Sequence, residues 1–352
     1  MDLQSLGWND FFAAQLLAQE LTVCTVGRVA AEYKHMYRVY AESGEYLASV
    51  TGKLRYLADS REDFPAVGDW VLFSAAGNGQ AVIQGILPRQ SKFSRKVAGK
   101  VNEEQIVAAN IDTIFLVNAL NQDFNLRRME RYLTLAWDSG ASPVIVLNKT
   151  DLCPDVVGKV REVETIAFGV PVHPVSCVSG YGLADLSQYM SRGKTIALLG
   201  SSGAGKSTLV NRCLGTDSQK TGAIRQDDGE GRHTTTHREL ILLPAGGILL
   251  DTPGMRELQL WGSEDGLTDT FDDIYALAAQ CRFSDCRHTN EPGCAVIAAL
   301  AGGALSQARY DSFHKLQREL AYLSRKENKQ EYLAEKNRWK KIHKGIRQLS
   351  KN

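Results

Sequence analysis

Gly200-Ser201-Ser202-Gly203-Ala204-Gly205-Lys206-Ser207-Thr208, directly after the apolar run Lys194-Thr195-Ile196-Ala197-Leu198-Leu199, decides the fold of this chain. It matches G-x-x-x-x-G-K-[ST] between a strand-like run and the helix-like Thr208–Gly215, the context a phosphate-binding loop requires. Its glycines let backbone N–H groups wrap phosphate oxygens, and the following helix adds positive potential. Lys206 then reaches the β- and γ-phosphates, and Ser207 ligates Mg²⁺.

A phosphate loop does not choose the base. Asn148-Lys149-Thr150-Asp151, closing the apolar run Pro143–Leu147, does. A carboxylate there accepts two hydrogen bonds from guanine N1–H and the exocyclic amine, a pair that adenine lacks. Alone, the tetrapeptide can be a polar strand end; beside a phosphate loop it reads guanine. Ser176 and Cys177 end the next run, where backbone N–H groups can hold guanine O6. Asp251-Thr252-Pro253-Gly254 closes Gly246–Leu250. Asp251 is placed to hold Mg²⁺ through water, and the Gly254 N–H to contact the γ-phosphate. Upstream, His233-Thr234-Thr235-Thr236 offers a hydroxyl, at Thr235, for Mg²⁺ and the γ-phosphate, although loop threonines are usually just solvated.

The wider pattern divides the chain. Residues 22–88 hold about five short β-rich segments, separated by Gly, Asn, Ser and Asp, which predict a small barrel of the OB or SH3-like type. Residues 110–260 alternate apolar runs with a helical face at Leu126, Met129, Leu133 and Trp137, which predicts a parallel sheet covered by helices on both sides. The polar, Gly-rich stretch Thr216–Thr236 is expected to be a mobile loop. After about residue 268 the chain turns helical, bears Cys281, Cys286, His288 and Cys294, and then becomes basic. Three thiolates and one imidazole satisfy tetrahedral zinc with no open position, hence a structural site. The spacing is not a common finger pattern, and buried, unrelated cysteines are the alternative.

The chain has 352 residues, Lys+Arg 41, Asp+Glu 40 and 43% hydrophobic residues. That composition argues against wholesale disorder, a collagen-like fibre or a coiled-coil rod. No apolar run approaches the ~20 residues that cross a bilayer. The first twenty residues lack Lys and Arg, unlike the start of a signal peptide, and the Cys count of 7 is odd for a disulfide framework. A reduced cytoplasmic chain with no membrane contact is expected. The net charge of +1 hides a tail, Arg325–Asn352, of +7, and an acid-free island of Arg89, Lys92, Arg95, Lys96 and Lys100. Such segments suit a polyanion, most often nucleic acid, or are merely solvated.

Taken together, NKTD, SCVS, GSSGAGKST, RHTTT and DTPG resemble a translation-factor-type GTPase with its elements in permuted order, the guanine-reading motif lying 52 residues before the phosphate loop. That order, the N-terminal barrel and CRFSDCRHTNEPGCAV resemble the RsgA (YjeQ, YloQ) family of ribosome small-subunit-dependent GTPases, over about residues 22–325. The resemblance implies an α/β P-loop GTPase domain, circularly permuted, with an N-terminal OB-like β-barrel and a C-terminal helical zinc-binding domain. The expected bounds are 1–21 for a helical extension, 22–100 for barrel and basic linker, 101–262 for the GTPase, and 263–352 for the zinc domain and tail. It implies one structural zinc on Cys281, Cys286, His288 and Cys294, and Mg²⁺ with GTP at Ser207 and Thr235. Met255 stands where many GTPases carry a water-orienting Gln. The resemblance suggests His233 as the replacement, acting with Thr235 and Lys206; a loop His without a role, or completion of the site by the ribosome, are the alternatives. The implied activity is GTP hydrolysis in late maturation of the small (30S) ribosomal subunit, by a monomer that binds rRNA in the GTP state and leaves after hydrolysis. The other reading is a GTP-gated RNA-binding module whose hydrolysis is incidental; a metabolic P-loop kinase leaves NKTD and DTPG without a role.

Overall fold

The computed structural model describes residues 1–17, 24–96, 104–215, 238–251 and 265–325. They fall into two compact units divided between Gln259 and Leu260. The expected loop 216–236 lies wholly outside the described residues, as do Lys100 and the tail beyond Arg325.

Strands β1 (Thr25–Tyr33), β2 (Met36–Ala41), β3 (Gly44–Val50), β4 (Trp70–Gly77) and β5 (Gln80–Ile86) run in the spatial order β1-β2-β3-β5-β4. β4 pairs back onto β1 from Thr25↔Phe73 to Arg28↔Trp70, which closes the barrel. β3 and β5 are parallel, and helix α2 (Gly52–Leu57), capped by the Thr51 side chain, fills the β3–β4 connection. This order is that of an OB barrel and removes the SH3-like alternative. Alternating residues supply the core, including Val29, Val39, Ala48, Phe73 and Ile83. The N-terminal extension belongs to this body. Leu6 and Phe12, the latter on α1 (Asp10–Leu17), are buried with Trp70, and the Trp8 ring stands edge-on to Trp70 at 4.8 Å.

A hairpin, β6 (Lys92–Lys96) with β7 (Glu104–Ala109), leads into a second set of strands. These are β8 (Thr113–Ala119), β9 (Ser142–Asn148), β10 (Val172–Pro174), β11 (Thr195–Leu199), β12 (Glu239–Leu242) and β13 (Ile248–Asp251). β10-β9-β8-β11-β13 are parallel neighbours, interleaved with α3 (Leu126–Asp138), α4 (Val156–Glu164) and α5 (Lys206–Leu214). Chain order reverses between β8 and β11: β9 and β10 lie on one side, β13 on the other. In open α/β sheets the crevice at the carboxyl ends beside such a reversal is where ligands bind.

Two features depart from the sequence reading. The run Glu239–Leu242 is not one more parallel strand. β12 is antiparallel to β13, and its other edge meets β1 at Ala31↔Glu239, so barrel and α/β sheet form one 11-stranded sheet. Arg38–Glu239 (2.8 Å) and Arg238–Glu32 (3.2 Å) flank that seam. The basic island, in turn, is no open linker. Lys92–Lys96 is strand, and Arg89 binds the fully buried Asp69 carboxylate at 2.7 Å while donating to the Glu62 and Phe64 carbonyls. Arg89 is therefore spent on holding the barrel rather than offered to a polyanion.

The second unit contains α6 (Asp265–Thr270), α7 (Asp272–Ala278), α8 (Ala295–Ala301) and a helix α9 over 307–325. Its buried side chains include Phe271, Ile274, Val296, Phe313 and Leu316. Arg309 clamps it, donating twice to Asp273 (2.8 and 2.7 Å) and once to the Thr270 carbonyl, with its guanidinium over the Phe271 ring at 4.8 Å.

Candidate functional site

The phosphate loop follows β11 and opens α5, as its sequence requires. Two of its glycines are dictated by close approach. A Cβ on Gly200 would lie 2.2 Å from the Val117 carbonyl oxygen, and one on Gly205 would lie 2.1 Å from the Asn148 amide nitrogen. Gly203 (φ 77°) and Gly205 (φ 96°) also adopt the left-handed conformation that glycine tolerates best. Ser202, Gly203 and Ser207 are exposed, Ala204 is buried and Thr208 is half-buried. Lys206 Nζ crosses the loop, donating to the carbonyls of Gly200 (2.6 Å) and Ser201 (2.5 Å).

The guanine-reading segment is brought to this loop by pairing β9 with β8. Asn148, 2% exposed, is the tie: its amide donates to the Ala204 carbonyl at 2.9 Å and its oxygen accepts from the Cys177 N–H at 3.2 Å. One side chain thus fastens the phosphate loop to both segments expected to surround the base. Lys149 sits at φ 65°, turning the chain so that Thr150 and Asp151 begin a short 3₁₀ turn with Asp151 exposed.

The segment expected to face the base is tied down by hydrogen bonds of its own. The N–H groups of Ser176 and Cys177, assigned above to guanine O6, are used inside the protein, donating to the Tyr181 carbonyl (3.0 Å) and to Asn148. Ser176 instead donates its hydroxyl to Asp151 Oδ1 at 2.5 Å, which fixes the carboxylate's orientation. Arg212 on α5 holds the same segment through the Cys177 and Val178 carbonyls. Burial pushes the Cys177 thiol up to about 11, so it stays protonated at neutral pH.

Asp251 ends β13 beside β11, at the carboxyl edge with the other motifs. Its side chain, and Gly254, His233 and Thr235, lie outside the described residues.

A residue that sequence reading missed also touches the loop. Asp123, in the turn after β8, accepts a hydrogen bond from Ser201 Oγ and an ion pair from Arg128 at 2.9 Å. The only signal was its position after a strand at the sheet's carboxyl edge.

In the second unit the metal ligands converge. Cys281 lies just past α7, Cys294 caps α8, and Cys286 and His288 sit on the loop between. The four ligand atoms lie within 4.8 Å of one another: Cys281–Cys294 3.8 Å, Cys281–His288 Nδ1 3.6 Å, His288 Nδ1–Cys294 3.4 Å. A tetrahedron of ~2.3 Å zinc–sulfur bonds has sulfur–sulfur edges of about 3.8 Å, so the donor set fits zinc. His288 adopts φ 58°, and its carbonyl accepts from the Tyr310 hydroxyl at 2.7 Å. Glu291, also unforeseen, shapes the loop. Its carboxylate accepts the N–H groups of Thr289 (2.8 Å), Arg287 (3.1 Å) and Asn290 (3.0 Å), bonds that hold it down at about 2.

Comparison with known proteins agrees with this geometry. The RsgA GTPase family matches residues 86–261. The chain is 49% identical, over 99% of its length and 97% of the relative's, to "Small ribosomal subunit biogenesis GTPase RsgA" of Opitutus terrae. It is 53% identical, over 84% of each chain, to "Small ribosomal subunit biogenesis GTPase RsgA 2" of Lactiplantibacillus plantarum. Among solved structures, YjeQ from Thermotoga maritima superposes with a TM-score of 0.64 at 29% identity, covering 85% of this chain and 99% of that one. YloQ, described as a circularly permuted GTPase, shares the fold with a TM-score of 0.62 at 24% identity, covering 86% and 97%. With a family match over residues 86–261 and about half of its residues identical to such relatives across nearly its whole length, the chain belongs to the RsgA family of circularly permuted GTPases.

Proposed function

We propose that the chain hydrolyses GTP in the biogenesis of the small ribosomal subunit, the task its relatives' names state. The observation that carries this reading is the Asn148 tie, which sets the guanine-reading turn against the phosphate loop. In the reaction a water oxygen bonds the γ-phosphorus while the bond to the β,γ-bridging oxygen breaks, giving GDP and phosphate. Asp151, held by Ser176, selects guanine, and the backbone of residues 200–206 with Lys206 neutralises developing phosphate charge. Mg²⁺, held by Ser207 and Thr235 with Asp251 acting through water, would supply further neutralisation. His233 is the residue proposed to orient water, because Met255 cannot. Zinc on Cys281, Cys286, His288 and Cys294 would be structural. The basic tail is the proposed rRNA contact, and a cytoplasmic monomer is the proposed working form.

With no water-orienting Gln after DTPG, turnover of the free chain should be slow. Purified small subunits should raise the turnover rate at least about tenfold, a floor well below the ~10³–10⁵-fold that a partner can supply when it completes a GTPase site. Phosphate release measured with and without subunits, under saturating GTP, checks this. A rate unmoved by subunits would favour the module whose hydrolysis is incidental.

Replacing Asp151 with Asn puts an amide donor where guanine presents donors. GTP and GDP affinity should fall by about 3 kcal/mol, roughly 150-fold, since the lost acceptor is charged and its replacement mispairs. Xanthosine triphosphate, whose C2 carries an oxygen, should bind the variant better than GTP does. Equilibrium titration with both nucleotides reads this, and unchanged GTP binding would remove Asp151 from base recognition.

A further inference from the structure

We propose that Asp123 is a positioning residue of the nucleotide site, latching the first half of the phosphate loop through Ser201 and so setting how long a guanine nucleotide stays bound. The inference rests on the nucleotide-binding reading above and names a residue that none of the sequence motifs contains.

The topology puts Asp123 there. β8 and β11 flank the reversal of strand order, so the turn leaving β8 and the loop leaving β11 rise side by side into one crevice. Within it, Ser201 Oγ donates to Asp123 Oδ2, and Arg128 Nη2 approaches the same oxygen at 2.9 Å while also donating to the Asp123 carbonyl. The turn is itself held. The Asp123 N–H donates to Asn121 Oδ1 at 3.0 Å, the Phe124 N–H to the Asn121 carbonyl at 3.0 Å, and Asn125 caps α3 by accepting the Arg128 N–H at 3.0 Å. The latch is therefore built on the rigid start of a helix.

Burial alone would raise the Asp123 carboxyl. Hydrogen bonds from Ser201 and Arg128, with the charges of Arg128 and Lys149, outweigh it and leave the carboxyl below the usual range. It is thus ionised at neutral pH, and a charge-assisted bond from Ser201 is the strong kind.

The loop needs such a tie because its sequence supplies little order. Glycine and serine fill most of residues 200–205, and glycine gives up the most conformational freedom when fixed. Asn148 secures the second half at Ala204; Asp123 secures the first at Ser201. Phosphates bind backbone N–H groups already aimed at them, so a loop left to wander must be reordered at each binding event. The latch acts on the part of the site that meets both GDP and GTP, so its loss shortens the lifetime of both equally. Most changes of this kind appear in the dissociation rate.

The test is stopped-flow release of fluorescent GDP and of a fluorescent, non-hydrolysable GTP analogue from the full chain, with thermal stability recorded alongside. Asp123→Ala and Ser201→Ala should each speed release about tenfold for both nucleotides, a loss expected for one charge-assisted bond. The double variant should be no faster than either single one, since both remove the same bond. Asp123→Asn keeps an acceptor oxygen and should recover most of the parent lifetime. Unchanged release from Asp123→Ala, or effects of the two substitutions that multiply, would overturn the latch. A lowered melting temperature with unchanged release would make Asp123 merely structural and would also overturn it. Failure of the parent chain to bind either nucleotide would instead overturn the nucleotide reading beneath it.

Discussion

Stripping the metal should unfold the second unit's knot while leaving guanine-nucleotide affinity intact. Among the described residues of the small helical unit the large buried side chains are few, Phe271, Ile274, Val296, Phe313 and Leu316 among them, and a small core of this kind gains much from a staple. The four ligands tie the segment after α7 to the start of α8, so a bound metal would staple that connection. Zinc binding free energy in such sites is folding free energy. The parent chain should carry about one zinc. Cys294→Ser is the sharpest variant. A serine hydroxyl can keep the cap on the Ile297 N–H, now made by sulfur at 3.4 Å, so the loss is that of a ligand and not of the helix start. Helical circular dichroism should fall, and limited proteolysis should cut within residues 265–325, in both the variant and the chelated parent. Full helicity in a metal-free preparation would remove the structural role. Acid should act as chelation does, because the thiolates and His288 must be deprotonated to bind. The Glu291 carboxylate, held down at about 2, contributes stability that is present above its unfolded value and lost only as pH falls towards 2. Loss of the knot at mildly acidic pH therefore belongs to the ligands and not to Glu291.

Much of this was legible in the sequence, for reasons that can be named. The phosphate loop declares itself by its motif between strand and helix, and the structure adds that the Val117 carbonyl and the Asn148 amide leave no room for a side chain at Gly200 and Gly205. The barrel strands were legible because alternate residues face a core. The four-residue cluster was legible because three thiols and an imidazole lie within fourteen residues, and the structure brings their ligand atoms within 4.8 Å of one another.

What stayed hidden is what depends on partners distant in sequence. Nothing local marks Glu239–Leu242 as the seam to the barrel, since Ala31 and Glu239 meet only when both bodies are folded. Ser176 could be placed beside the base, but not assigned its hydroxyl bond to Asp151. Arg89 reads as one cation among five until Asp69, twenty residues away, is found buried beneath it. Asp123 reads as an ordinary turn residue. Arg28 belongs with these. In the run Thr25–Tyr33 it looks like the solvent-facing member of an alternating strand, yet it is 1% exposed.

Arg28→Ala should destabilise the first unit by about 3–5 kcal/mol, as expected when buried acceptors lose a charged donor. The guanidinium donates to the Leu6 carbonyl (2.6 Å), the Gly68 carbonyl (3.1 Å), the Asn110 carbonyl (2.8 Å) and Thr195 Oγ1 (2.9 Å). Those four acceptors belong to the N-terminal extension, the barrel, the connection from β7 to β8, and the strand that leads to the phosphate loop. One side chain thus bolts four parts of the unit together. Burial pushes its pKa down to about 10, against the pull of Asp112 and Asp69, so it remains charged at physiological pH. Because the folded value lies below the unfolded one, stability linked to this group rises only above about pH 10; its bonds are fully present throughout the neutral range. Alanine leaves acceptors facing a cavity, although the Gly68 carbonyl keeps a second donor, the Asn110 amide at 3.1 Å. Lysine, with a compact ammonium, cannot span four directions as the planar fork does and should recover little. Urea unfolding followed by tryptophan fluorescence is a direct probe, since the buried Trp70 ring lies 5.8 Å from the guanidinium. A shift in stability below about 1 kcal/mol would mean that water or repacking satisfies those carbonyls and that the bolt is dispensable. A loss of the expected size, accompanied by faster nucleotide release, would show that barrel and phosphate loop are held in register through Thr195.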